Sequence, residues 1–197
     1  KHTLNIAMVY TSGGPWWLRN WRISPVFVGH SGLPVNITQT NEFSNVTQQR
    51  PNGDTSHIRL SHPTKVGTTI QYLTPAADPG FPLTPSGPVY STINGVRTRI
   101  VATGLGNVPR DSIRAPGEIA FDASVSKTFP LFRALKFQFR VDAFNVLNHT
   151  NFTAPSGSLS VTASGTNATF ATNSSGFGRI TGAQPARTLQ LNGRFTF

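Results

Sequence analysis

Cysteine is missing from all 197 residues, which excludes a disulfide framework and any thiolate metal site. Charge is scarce too: 12% of residues carry one, near half the usual share of about 25% for a soluble domain. Acids are the scarcer sign, 7 against 17 basic residues, and none follows Asp142. No apolar run approaches the ~18 residues that a membrane helix needs, so a helix-spanning protein is excluded. The chain opens at Lys1 with no signal-peptide pattern. Turn formers, by contrast, are plentiful, with 18 glycines and 15 prolines. The length suits one domain or a little more, with room for a core. These absences leave an all-β chain rich in turns.

A net charge of +10, taken alone, points to nucleic acid. The distribution points elsewhere. Arg19, Arg22, Arg50, Arg59, Arg97, Arg99, Arg110 and Arg114 stand singly, and much of the excess comes from missing acids. A basic surface facing anionic lipid headgroups is the better fit, and no nucleic-acid partner is expected.

Two-residue alternation is the clearest positive signal. In 119–126 the odd positions (Ile119, Phe121, Ala123, Val125) are apolar and the even ones small or polar. Segment 135–143 is sharper, setting Leu135, Phe137, Phe139 and Val141 against Lys136, Gln138, Arg140 and Asp142. Segment 189–197 ends the chain in the same way, 21–28 is noisier, and 4–10 is weaker still. Side chains alternate across a strand, so each stretch presents one apolar and one polar face. Five antiparallel strands are predicted.

The connections are unequal. A tight turn is expected at Phe129–Arg133 and another at Thr11–Arg19, while 31–117 and 147–186 are long. The first long segment holds ten of the fifteen prolines, and the second is a Ser/Thr/Asn/Gly tract whose only charge is Arg179. Structureless loops of that length are uncommon in compact soluble domains. Short strands within them, at 64–73 and 96–102, are one solution. A scaffold with long loops at one end is another, and transmembrane barrels have short periplasmic turns and long extracellular loops. In up-and-down order both tight turns fall on one side and both long segments on the other.

An ordinary sandwich also alternates, with its apolar side packed on a second sheet, so a secreted or surface β-sandwich binding or adhesion module is the alternative. Two features favour the membrane. About nine residues at ~3.3 Å each, tilted near 40°, cover the ~25 Å apolar band of a barrel. Aromatics also gather near predicted strand ends: Trp16, Trp17 and Trp21, then Phe129 and Phe132, then Phe197. Headgroup level is where amphipathic rings collect. The expected hairpin register sets Val125 opposite Phe137 and so pairs Asp122 with Arg140 on a polar, lumen-side face. A two-residue slip would oppose Asp122 and Asp142, which is unfavourable.

Catalytic and metal chemistry find little support. His57 and His62 lie five apart in a loop with only Asp54 near them, weak grounds for a metal. Glu118, Asp122 and Asp142 read as lumen charges balanced by Lys136 and Arg140. No Gly-x-Ser-x-Gly elbow occurs, and Gly104–Asn107 reads as a turn, not a phosphate loop. Sequons at Asn36, Asn45, Asn148, Asn151, Asn167 and Asn173 arise by chance in Ser/Thr/Asn-rich loops. Neither an enzyme nor a cofactor is expected.

Several motifs follow one another in order along the chain. Asn20-Trp21-Arg22-Ile23-Ser24 and Ser31-Gly32-Leu33-Pro34 fit an "NW-x-I-S … SGLP" element. Arg50-Pro51-Asn52-Gly53 fits an "RPN" loop, and Gly106–Gly117 fits "GN-x-x-RN-x-x-RGPG" with Asp111 and Ala115 as departures. Asp122–Phe129 matches "D-x-S-x-x-K-x-F". Gln138–Phe152 is close to "QFR-x-E-x-FN-x-x-NH-x-NF", with Asp142 in place of Glu, and Phe177–Ile180 fits "FGRI". In this order the motifs resemble those of TonB-dependent receptor-like outer-membrane proteins, above all the large acidobacterial paralogues with an amino-terminal carboxypeptidase-regulatory-like domain. Segment 56–97 lacks their "WFN-x-x-AF" element in recognisable form.

The resemblance implies the bacterial outer membrane and the carboxy-terminal part of a large transmembrane β-barrel. About 22 strands of roughly ten residues exceed this chain, so the plug domain is expected to lie outside it. It further implies ligand uptake, contact with outer-membrane lipid, and coupling to an energised inner-membrane complex through that plug. Ligand-facing candidates in the long loops are Arg50, Arg59, Tyr90, Arg97 and Arg99. Leu189, Leu191, Phe195 and Phe197 resemble the terminal signal read by the barrel-assembly machinery.

Overall fold

The computed structural model describes residues 2–40, 49–101, 104–171 and 176–197, so Asn45, Ala102 and Asn173 lie outside the described residues. The chain divides into two compact units. A sheet unit comprises Lys1–Gly32, Pro116–Phe152 and Ala183–Phe197, and a loop unit comprises Leu33–Ala115 and Thr153–Gly182. No helix among the described residues is long and apolar enough to cross a membrane, which says nothing of crossing by strands.

The sheet unit is one six-stranded antiparallel sheet. Thr3–Ala7 and Tyr10–Thr11 both pair with Trp21–His30, which pairs in turn with Glu118–Phe132, Leu135–Phe144 and Thr188–Thr196 in that order. All five alternating stretches are therefore strands. The register keeps the parity of every face. Ile23, Val125, Val141 and Leu191 form one transverse row, and Arg22, Ser126, Arg140 and Asn192 form the next on the opposite face. Both short turns lie at one end of the sheet, where Lys127 faces Trp21, and the long connections leave from the other, where His30 faces Glu118.

The expected 118–144 hairpin register is wrong by four residues. Its turn is not Phe129–Arg133: the strand runs on to Phe132, and only residues 133–134 separate Phe132 from its partner Leu135. Arg133 takes the left-handed backbone conformation at φ 50°, and a bulge between Pro130 and Phe132 absorbs the proline's missing donor. Val125 therefore faces Val141, and Arg140 faces Ser126 instead of Asp122. This register lines up Phe129, Phe137 and Phe195 across three strands, with ring centroids 6.2 and 4.8 Å apart. It also places Asp142 opposite Ser124, so the like-charge contact used to choose between registers does not arise.

Burial in the sheet unit is inverted relative to a water-soluble fold. Apart from Gly32, its buried described residues are Ser126, Lys127, Asp142 and Asn151, all polar. Its large apolar side chains stay open, Phe139 at 42% and Leu191 at 67% exposure. Every buried apolar residue among those described belongs to the loop unit, where Ile37, Ile58, Leu73, Val108 and Leu159 are fully enclosed. A sandwich needs a second sheet against Phe137, Phe139 and Val141, and no sheet-unit residue joins the buried apolar cluster. Exposure of a continuous apolar band is the condition a lipid solvent satisfies.

The loop unit shows that the long segments are not structureless. The expected strand at 64–73 is a hairpin, Arg59–Val66 with Thr69–Leu73, turning at Gly67. Val96–Val101 pairs with Val89–Ile93, and Val161–Ser164 with Asn167–Phe170. Short pairs tie the segments together: Pro34–Val35 with Ile113–Arg114, and Thr38–Gln39 with Ser158–Leu159 in parallel.

Candidate functional site

The polar face of the sheet unit carries a groove of about 680 Å³ lined by side chains including Arg22, Ser24, Asp122, Gln138 and Arg140. Alternation put these residues on one face, as expected, but the lumen pair Asp122–Arg140 is not formed. Arg140 binds Asp142 two residues along its own strand, Nη2 to Oδ1 at 2.7 Å, because i and i+2 share a face. Asn192 Nδ2 donates to the other Asp142 oxygen at 3.1 Å, so this buried carboxylate is satisfied from two strands. Asp122 instead accepts the Asn145 N–H at 2.8 Å where the strand pairing stops.

At the short-turn end, Lys127 breaks the apolar parity of its strand yet is 8% exposed. Its Nζ donates to the Trp17 carbonyl at 2.8 Å and sits 4.8 Å from the Trp21 ring centroid and 5.4 Å from that of Phe129. Trp21 Nε1 donates to the same carbonyl at 3.0 Å. The ammonium is thus held at the short-turn end of the sheet by a carbonyl and two ring faces. Lys127 is the lysine of the D-x-S-x-x-K-x-F motif, and its visible signal in the sequence is a lone cation at an odd position two residues before Phe129. Replacing Lys127 by methionine is expected to cost about 1–2 kcal/mol, from one lost charge-assisted hydrogen bond and two cation–π contacts. Urea unfolding in detergent checks this, and a shift in tryptophan emission should accompany it.

Asparagines of the motifs hold backbone groups in both units. In the loop unit, Asn107 Oδ1 accepts the Gly53 N–H at 2.8 Å while Asn52 Oδ1 accepts the Asn107 N–H at 3.1 Å. Gly106 lies so close to the Arg50 and Pro51 carbonyls that a Cβ would collide with both. In the sheet unit, Asn145 Nδ2 donates to the His149 carbonyl at 3.0 Å, and Asn151 brackets Ile119, accepting its N–H at 2.9 Å and donating to its C=O at 2.8 Å.

The ligand-facing candidates separate into three places. Arg50 is half-buried and donates to the Val108 carbonyl at 2.8 Å, so it braces the Asn52–Asn107 contact. Arg59 covers the Tyr72 ring at 4.9 Å; burial pushes the Tyr72 phenol above its ordinary range, with the Arg59 charge opposing. Tyr90, Arg97 and Arg99 are brought together: Tyr90 opposes Arg99 and Thr92 opposes Arg97, placing all four on one face of the hairpin. The Arg97 guanidinium lies 4.5 Å from the Tyr90 ring centroid, and both line a groove of about 610 Å³. Leu189, Leu191 and Phe195 share the apolar face, and Phe197 is 92% exposed beyond it.

Asp54, Ser56 and His57 meet in an exposed turn, Ser56 Oγ lying 2.6 Å from Asp54 Oδ2 and 2.7 Å from His57 Nδ1. The Ser56 hydroxyl and then its N–H hold the Asp54 carboxyl below its ordinary value. A nucleophilic triad needs the imidazole between serine and carboxylate, whereas here the serine stands between them. His62 Nδ1 contacts Ser61, and among the described residues no three His, Cys, Asp or Glu side chains form a metal-holding group.

No curated protein and no solved structure matches the chain. A family model described as an outer membrane beta barrel domain matches residues 9–190, which takes in every strand of the sheet unit except the first and most of the last. The single sheet with its uncovered apolar face agrees with that match, and the chain therefore belongs to the outer membrane beta barrel domain family, a resident of the bacterial outer membrane.

Proposed function

We propose that this chain is the carboxy-terminal sector of a TonB-dependent receptor-like barrel that takes part in ligand uptake, with the loop unit as its outward ligand-capturing surface. The carrying observation is that both long connections leave the sheet at the end opposite its short turns and fold into a unit with its own apolar core. Short turns belong to the periplasmic side of such barrels and long loops to the outside. A passive pore has no need of a large packed loop unit, whereas a receptor needs a rigid surface on which to place contacts. Energy coupling would come from an inner-membrane complex acting through a plug outside this chain, and the protein would act as no enzyme. Leu189, Leu191, Phe195 and Phe197 are the proposed contacts for the barrel-assembly machinery, on an edge strand whose apolar row is open.

Planar-bilayer conductance of the whole protein tests this reading without knowledge of the ligand. A plugged receptor should be electrically silent until mild urea unfolds the plug, and then conduct. A channel open from the outset would make it a passive pore, and silence throughout would remove the transport reading.

A further inference from the structure

We infer that the short-turn end of the sheet unit binds the phosphate of an anionic phospholipid, with Arg19 and Arg133 as its contacts among exposed aromatic rings. The inference rests on membership of the outer-membrane barrel family and not on the receptor reading, so either can fail alone. Register sets the depth. On the apolar face, Ile119 to Phe129 runs about 33 Å along the strand, or ~25 Å across a membrane at a tilt near 40°. That is the height of a barrel's apolar band, so the 12–20 turn and the turn after Phe132 emerge among the headgroups.

Both turns are built to stay there. The Leu18 and Arg19 N–H groups donate to the Pro15 carbonyl at 2.9 Å, closing one helical turn. In a turn of that pitch Trp16 and Arg19, three apart, share a side. The segment is pinned to strand 118–132, because the Asn20 carbonyl accepts the Thr128 N–H at 3.2 Å and the Trp17 carbonyl accepts from Lys127. In the second turn the Arg133 guanidinium lies 5.2 Å from the Phe132 ring centroid. Trp16 and Phe132 are 76% and 69% exposed, as rings resting at headgroup level are.

Charge sets the class of lipid. The sheet unit has three side-chain acids, and neither turn holds one. Glu118 stands at the opposite end, Asp122 lies towards that end, and Asp142 is bound by Arg140 and Asn192. Lys127 is buried behind its rings and adds to the positive field without touching lipid. A zwitterionic headgroup brings a cation of its own, which the two arginines repel. An anionic headgroup brings acceptors with uncompensated charge, matched to a guanidinium fork and to indole N–H donors. Each basic side chain near such a surface raises binding about fivefold.

Tryptophan quenching of the whole protein in phosphatidylcholine vesicles tests this, since all three tryptophans of the chain sit at this end. The quenchers are phosphatidylglycerol and phosphatidylcholine with brominated acyl chains. Phosphatidylglycerol should bind about fivefold or more tighter, and the preference should shrink as salt is raised. Arg19→Gln combined with Arg133→Gln should bring the two lipids within about twofold and leave quenching by phosphatidylcholine as it was. Arg187→Gln removes a cation at the other end of the same sheet, more than a Debye length away, and should keep the preference. Equal binding of the two lipids, a preference that survives loss of both arginines, a fall with both lipids alike, or an equal effect of Arg187→Gln would overturn the inference.

Discussion

Arginine at Val141 is expected to destabilise the folded protein by about 2–4 kcal/mol in lipid, the cost of a cation at mid-depth on the outer face of a barrel. Val141 sits between Val125 and Leu191 in a row that continues through Ile23 to Tyr10 and carries no charged side chain. A guanidinium there has neither water nor a carboxylate within its own row. Arginine at Gln138, on the polar face beside Arg140 and Asp142, should change stability by less than about 1 kcal/mol, because that face already hydrates charge. Urea unfolding of both variants in vesicles supplies the comparison. Equal, small losses would mean that Val141 faces water, and the lipid-facing assignment of the whole odd-numbered face would go with it.

What the sequence made legible follows from the period of a strand. Parity alone sorted Leu135, Phe137, Phe139 and Val141 from Lys136, Gln138, Arg140 and Asp142, and the sheet keeps that division. Register was less accessible. It depended on the length of one turn, and the rings of Phe129 and Phe132 looked like punctuation when they are strand residues. Charge pairing separates Asp122 opposite Arg140 from Asp122 opposite Asp142, and it is silent on the register the hairpin adopts, with Val125 opposite Val141. In the long segments the proline count suggested loop, yet Asn94-Gly95 between Val89–Ile93 and Val96–Val101 is a strong hairpin signal that the composition obscured. The candidate arginines divided by neighbours the sequence does not reveal: Arg50 found a carbonyl, whereas Arg97 found an aromatic face and a groove. Burial of polar residues alone in the sheet unit could not be read from the chain. It depends on the absence of a second layer, and alternation is silent about layers.

The second large effect is expected at Asn151, whose role is to replace a missing strand. Strand 135–144 stops pairing at Ala143 opposite Ala123, so the Ile119 backbone has no ladder partner on that side. Asn151, 4% exposed, supplies one with its amide, accepting the N–H and donating to the C=O of Ile119. The same loop places the Val146 N–H on the Phe121 carbonyl and the Asn145 N–H on Asp122, continuing the ladder by other means. Asn151→Ala should therefore cost about 2–4 kcal/mol, since two backbone groups lose their partners at about 1–3 kcal/mol each where water cannot replace them. Asn151→Asp retains the acceptor, loses the donor and should fall between. Amide exchange locates the effect: the Ile119 N–H should exchange faster in the alanine variant while the Val125 N–H, inside the paired ladder, keeps its rate. Unchanged exchange at Ile119 would show that the loop follows the sheet and does not hold its edge.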